Sequence, residues 1–156
     1  YLVGTHARDK DAVVSALLIC EMAAYYKMKG LTLFDKLEQL YGEHGYYLDA
    51  LDSVTLTGVA GAARIKEMME EVRESDAEFF ANVDEVRDYA TGIADLPKEN
   101  VIKFMLKDES WVAIRPSGTE PKIKFYYSVK ADNEQSAQEK LQVIKTQIQE
   151  NLDIAL

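Results

Sequence analysis

The sequence predicts an α+β fold, an antiparallel sheet with helices packed on one face. Two observations carry this. From about residue 50 the order of patterns is strand, helix, three or four strands, then helix, which suits a sheet covered on one side. Within that region Ile102, Phe104 and Leu106 alternate with Lys103, Met105 and Lys107, and Ile123, Phe125, Tyr127 and Val129 alternate with Lys122, Lys124, Tyr126, Ser128 and Lys130. Period-two alternation marks half-buried strands. A helix pair precedes the sheet, and the sequence holds neither internal repeats nor a low-complexity tract.

In chain order, Tyr1-Leu2-Val3-Gly4 can extend as strand or loop, and Asp9 or Asp11 can cap a helix. His6, Arg8 and Lys10 gather near that helix start, as a solvated basic loop or as a second anion-facing patch helped by the helix N-terminus. From Ala12 to Met28 the apolar residues Val13, Leu17, Cys20 and Ala24 repeat at helical spacing, with Val14, Leu18 and Met22 on the neighbouring face. This predicts a helix buried on most sides and stopped by Gly30, with Cys20 in the core. Thr32 and Asp35 form a capping-box signature for a second helix, whose core face is Leu33, Phe34, Leu37, Leu40 and Tyr41. Gly42 and Gly45 end it, and His44 in its last turn is a structural residue favoured by the helix dipole.

Val54-Thr55-Leu56-Thr57 predicts a strand, and the change from helix pair to strand predicts a boundary near Leu48 to Ser53. Ala62, Ile65, Met68, Met69 and Val72 mark an amphipathic helix with a charged outer face. Glu85 to Tyr89 alternates weakly, as an edge strand does, and Thr91 to Asn100 is a surface loop. Strands at Ile102–Leu106 and Trp111–Ile114 join the strand after residue 121 in a meander. Asp132 or Asn133 caps a last helix with Ala137, Leu141, Ile144, Ile148 and Leu152 on one face, placed to cover the sheet.

The 156 residues are 47% apolar and 29% charged, a composition that can build a core. A net charge of -9 repels nucleic acid and anionic membrane, so an anion must be held by a local concentration of donors. No apolar run reaches the ~20 residues of a membrane helix, and no charged-then-apolar leader opens the chain. The single cysteine, Cys20, can form no internal disulfide, and a reducing cytoplasm is expected. The first residue is Tyr1, not Met, as expected of an excised or processed piece.

The donors concentrate at Arg115-Pro116-Ser117-Gly118-Thr119-Glu120-Pro121-Lys122, between two strand patterns. Pro116 and Pro121 fix φ and interrupt ladder pairing, while Gly118 can take positive φ, so the backbone can curl into an anion-binding nest. Ser117 and Thr119 add hydroxyls, Arg115 a planar fork for two phosphate oxygens, and Lys122 and Lys124 nearby positive charge. The plain alternative is a tight hairpin turn with a stray arginine, since such residues make turns for conformational reasons alone.

Followed by an alternating strand, this stretch resembles the phosphate-binding loop in the last domain of the α-D-phosphohexomutases, the phosphoglucomutase and phosphomannomutase family. The resemblance implies a TATA-binding-protein-like C-terminal domain at 49–156, preceded by the closing helices of a third, α/β domain at 1–48. It implies that Arg115, Ser117, Gly118 and Thr119 grip the substrate's non-reacting phosphate, with Glu120 and Lys122 in support. Arg8-Asp9-Lys10-Asp11 is similar to a family segment whose lysine lies at the active site, so Lys10, and with it Arg8 and His6, are expected on that face together with Lys122. The Glu-Glu-Ser motif that precedes that segment in the family and reads the sugar is absent.

The activity implied is interconversion of glucose 1-phosphate and glucose 6-phosphate, through a phosphoserine and a bisphosphorylated sugar, with magnesium spreading the developing charge. Glucose 1,6-bisphosphate is then activator and intermediate. The family's phosphoserine and its Asp-rich metal loop do not occur here, so the chain is expected to be inactive alone, with no metal site and no catalytic residue of its own. Its partners would be a phosphosugar and the missing N-terminal domains of the same protein. Phosphomannomutase, phosphopentomutase or amino-sugar mutase activity is the alternative within the family; outside it, a stand-alone anion-binding module.

Overall fold

The computed structural model describes residues 3–5 and 7–156, which separate into two compact units, Tyr1–Gly45 and Tyr46–Leu156. The first unit is a helix pair, α1 (Ala12–Met28) and α2 (Leu33–His44). Of the two aspartates able to cap α1 it is Asp11 that does so, accepting from the Val14 N–H at 2.9 Å. At α2 the capping box is complete: the Asp35 N–H donates to Thr32 Oγ1 at 3.1 Å while the Thr32 N–H donates to the Asp35 carboxylate at 2.7 Å. Gly42 continues that helix, and Gly45 alone ends it, at a φ of 94°.

Expected to be buried on most sides, α1 has no buried side chain among the described residues, and Cys20 is exposed. The cause is geometric. A helix apolar nearly all round can bury only the stripe that meets a neighbour, and within this unit the neighbour of α1 is α2.

The second unit runs β1 (Tyr46–Thr55), α3 (Gly58–Ser75), a short 3-10 turn (Asp76–Glu78), β2 (Val83–Asp88), β3 (Ile102–Leu106), β4 (Trp111–Pro116), β5 (Lys122–Ala131) and α4 (Glu134–Leu152). All ladders are antiparallel, in the order β1-β5-β4-β3-β2. So β2 is an edge strand, as its weak alternation predicts. β1 begins at Tyr46, eight residues ahead of the expected Val54, and pairs from Tyr46↔Ala131 to Thr55↔Lys122.

One face of the sheet carries Phe104, Val112, Ile114, Ile123, Phe125 and Val129, all fully buried against Met68, Met69 and Val72 of α3 and Ile148 and Leu152 of α4. Both helices thus cover this face. At the start of α3, Gly61 is pressed against the incoming chain, so that a Cβ there would lie 2.1 Å from the Leu56 carbonyl oxygen. Asn133 caps α4 by accepting from the Ser136 N–H at 2.9 Å.

Two polar links tie the helices down. Lys145 of α4 reaches Asp52 on the core face of β1 at 2.8 Å, beside the buried Tyr127 ring. Burial and then the Asp52 carboxylate push the Tyr127 hydroxyl far above the usual tyrosine range. Arg64 of α3 forks onto Glu71 and donates to the Leu152 carbonyl at the end of α4, 2.9 Å away. The opposite face of the sheet is uncovered within this unit and carries the odd-numbered residues of β4 and the even-numbered residues of β5, Arg115 and Lys124 among them.

Candidate functional site

The site forms where β4 hands over to β5. The Ser117 N–H donates to the Lys122 carbonyl at 2.7 Å and the Lys122 N–H to the Glu120 carbonyl at 2.8 Å, which pinches the loop at its neck. The Leu56 N–H donates to the Pro121 carbonyl at 2.9 Å, pinning the loop to the segment after β1. Inside the loop the Thr119 N–H makes a long contact to Ser117 Oγ, 3.4 Å. The N–H groups of Gly118 and Glu120 have no acceptor among the described residues, and Gly118, Thr119 and Glu120 are exposed. These two amides, with the hydroxyls of Ser117 and Thr119, are the donors the loop offers an anion.

Gly118 does not take the positive φ its residue type allows. The two prolines and the hydrogen-bonded neck already turn the chain, so the left-handed conformation is not needed. A Cβ at Gly118 would meet nothing within 4 Å, so what the glycine contributes is an uncluttered rim.

The charge at the rim comes from register. Arg115 stands directly opposite Lys124 on the uncovered face, and neither has a carboxylate partner among the described residues. Like charges directly across a ladder are unfavourable, so the pair favours an anion between them. Lys122 shares that face but is held by Glu120 at 3.1 Å, which suits it to shaping the loop more than to meeting a ligand. Behind the loop a hollow of about 220 Å³ is lined by Pro116, Ser117, Glu120 and Pro121 with Ile65, Met69 and Asn100.

The structure therefore brings together Arg115, Ser117, Gly118, Thr119 and Lys122. It adds Lys124, which residue types leave unplaced, because the Arg115↔Lys124 pairing depends on the hairpin register. Arg8 and Lys10 belong to the first unit, exposed ahead of α1, with Lys10 3.0 Å from Asp9. His6 lies outside the described residues.

Among the described residues no three His, Cys, Asp or Glu side chains converge to hold a metal ion, and Asp49 and Asp52 sit on opposite faces of β1. No helix among them is long and apolar enough to cross a membrane.

Residues 67–146, the loop included, match the family model of the phosphoglucomutase/phosphomannomutase C-terminal domain. A phosphoglucomutase of Staphylococcus aureus is 39% identical over 143 residues, 83% of this chain and 26% of that protein. One from Staphylococcus haemolyticus is 37% identical over 146 residues, 85% of this chain and 26% of that protein. The chain thus spans about a quarter of the length of the curated relatives it matches. Among solved structures, the open form of parafusin, an exocytosis-sensitive phosphoprotein and phosphoglucomutase from Paramecium, aligns with a TM-score of 0.70 over 94% of this chain and 28% of its own, at 17% identity, a likeness of fold.

Proposed function

Because this chain belongs to the phosphoglucomutase/phosphomannomutase family, whose C-terminal domain its residues 67–146 match, we propose that Arg115, Ser117, Gly118 and Thr119, joined by Lys124, hold the phosphate of a sugar phosphate that is not being transferred. The observation that carries the proposal is the unpaired Arg115–Lys124 couple beside two amides without acceptors. Each of these groups favours an anion and none is needed for the turn.

The parent enzyme interconverts glucose 1-phosphate and glucose 6-phosphate through a phosphoserine and a bisphosphorylated sugar. In that cycle either phosphate must be able to occupy this loop, so the loop binds a phosphate group and leaves the reading of the sugar to other residues. Glucose is preferred over mannose, ribose or amino-sugar substrates because the relatives found carry the name phosphoglucomutase. Ser117 binds and does not attack: its Oγ neighbours the Thr119 amide, and no base stands beside it among the described residues. Magnesium does not fit the described residues. It and the nucleophilic serine belong, in this proposal, to the further domains of the parent. This domain acts as a lid that closes on the sugar phosphate and excludes water.

The test is an amide NMR titration with glucose 6-phosphate, with free glucose as control. Shifts should gather at Ser117, Gly118 and Thr119, require the phosphate, and vanish in Arg115→Ala. Binding by the loop alone should be about millimolar, roughly -4 kcal/mol. Loop amides that stay still at saturating glucose 6-phosphate would reject the clamp.

A further inference from the structure

On the uncovered face of the sheet Lys103 stands between two unlike neighbours. It lies opposite Ala113, so the next residues of β4 on the same face are Trp111 to one side and Arg115 to the other. Both are diagonal neighbours, about 7–8 Å away and within reach of a lysine stem. Lys103 leans towards the tryptophan, with Nζ 4.0 Å from the centroid of the Trp111 ring. The other direction is electrostatically closed: Arg115 lies there with Lys124 beside it, and Arg87 of β2 stands opposite Lys103 itself. Arg87 is taken up by Glu85 at 2.6 Å, and Lys103 has no carboxylate partner among the described residues. Burial first, and the Arg87 guanidinium second, hold the Lys103 ammonium below the ordinary lysine range.

An anion at Arg115 reverses this balance. It turns a repulsive direction into an attractive one, and a charge-assisted hydrogen bond to phosphate outweighs a partly exposed contact with an aromatic face. We propose that Lys103 is an anion-triggered arm, which leaves the Trp111 ring when a phosphate sits at Arg115 and joins the clamp from the sheet side. The proposal rests on the loop being a phosphate clamp. It adds a binding residue twelve positions or more from the loop in sequence, and it couples occupancy of the loop to the environment of the chain's single tryptophan.

That tryptophan makes the test direct. Trp111 emission is followed while the chain is titrated with glucose 6-phosphate and, separately, with inorganic phosphate, against sodium chloride at matched ionic strength. The amide shifts of Ser117, Gly118 and Thr119 are recorded in parallel. Emission should change with the same half-saturation as the amides, for both phosphates and not for chloride. Lys103→Met should still shift the loop amides, with affinity about 3- to 10-fold weaker as expected for one partly exposed charged contact, and with emission that no longer responds. Lys103→Arg should recover affinity. Loop amides that shift while wild-type emission stays flat would overturn the arm and leave the clamp standing. So would a Lys103→Met chain that binds and responds like wild type. Silence of both signals would remove the clamp, and the arm with it.

Discussion

Arg115 and Gly118 illustrate how far single residues can be read without a structure. The chemistry of the loop lies in contiguous residues, so its donors are visible in the sequence; the opposing Lys124 is not, because only the register of the hairpin brings it across. Gly118 separates two roles that glycine can play. With ordinary φ and an empty surrounding, Gly118→Ala should leave stability within about 0.5 kcal/mol of wild type in urea unfolding, yet weaken glucose 6-phosphate binding by placing a methyl group at the rim. A large loss of stability would return the glycine to a purely conformational role. Arg73 offers a test of a different kind. It forks onto Asp88 at 2.9 Å, both side chains being roughly a quarter exposed. Burial alone would raise the Asp88 pKa, but the Arg73 hydrogen bond, with the Ala90 N–H, brings it below the ordinary value. A depressed folded pKa means stabilisation that is complete above the unfolded value of about 3.9 and lost as pH falls through the folded one. Arg73→Met should therefore cost about 1–2 kcal/mol at pH 7, with the gap to wild type closing in urea titrations as the pH falls through the folded Asp88 value.

Among the elements, those with clean periodicity are legible and those with polar interruptions are not. The alternation of β3 and β5 is plain in the residues. The first eight residues of β1 are hidden because aspartates such as Asp49 and Asp52 are poor strand formers, although Asp52 turns inward to Lys145 and the strand continues through it. Helix ends follow the same logic: Thr32 is a readable cap, whereas the choices between Asp132 and Asn133 and between Gly42 and Gly45 depend on the backbone that each adopts. Asn133→Ala should cost about 1 kcal/mol by removing the acceptor for the Ser136 amide, measurable as a shift in the urea midpoint. Gly61→Ala should cost more, about 1–3 kcal/mol or beyond, because the obstacle is the backbone carbonyl of Leu56 and not a side chain that can swing away. A Gly61→Ala chain as stable as wild type would show that the start of α3 can move without loss.

At the scale of the whole molecule, the two units differ in what holds them. The sheet unit has a continuous core under two helices, while α1 and α2 bury no side chain among the described residues. Amides of α1 and α2 should accordingly exchange with solvent far faster than those of β4 and β5, by orders of magnitude in hydrogen-exchange rates. Equal protection in both units would mean that the helix pair is supported by more than its own contacts. The helical periodicity of α1 is legible, but its burial is not, since burial depends on what stands beside a helix and not on the helix itself. The strand order has one further consequence. The loop after Arg115 hangs between β4 and β5, inside the sheet, while β1 and β2 form its margins. A crack that starts at the β2 margin must cut through two seams before it reaches the strand carrying Arg115, and one that starts at the β1 margin must unzip ten paired residues to free β5. An exposed loop is thus mounted on the interior of the sheet, so the fold can fray at its borders without moving it.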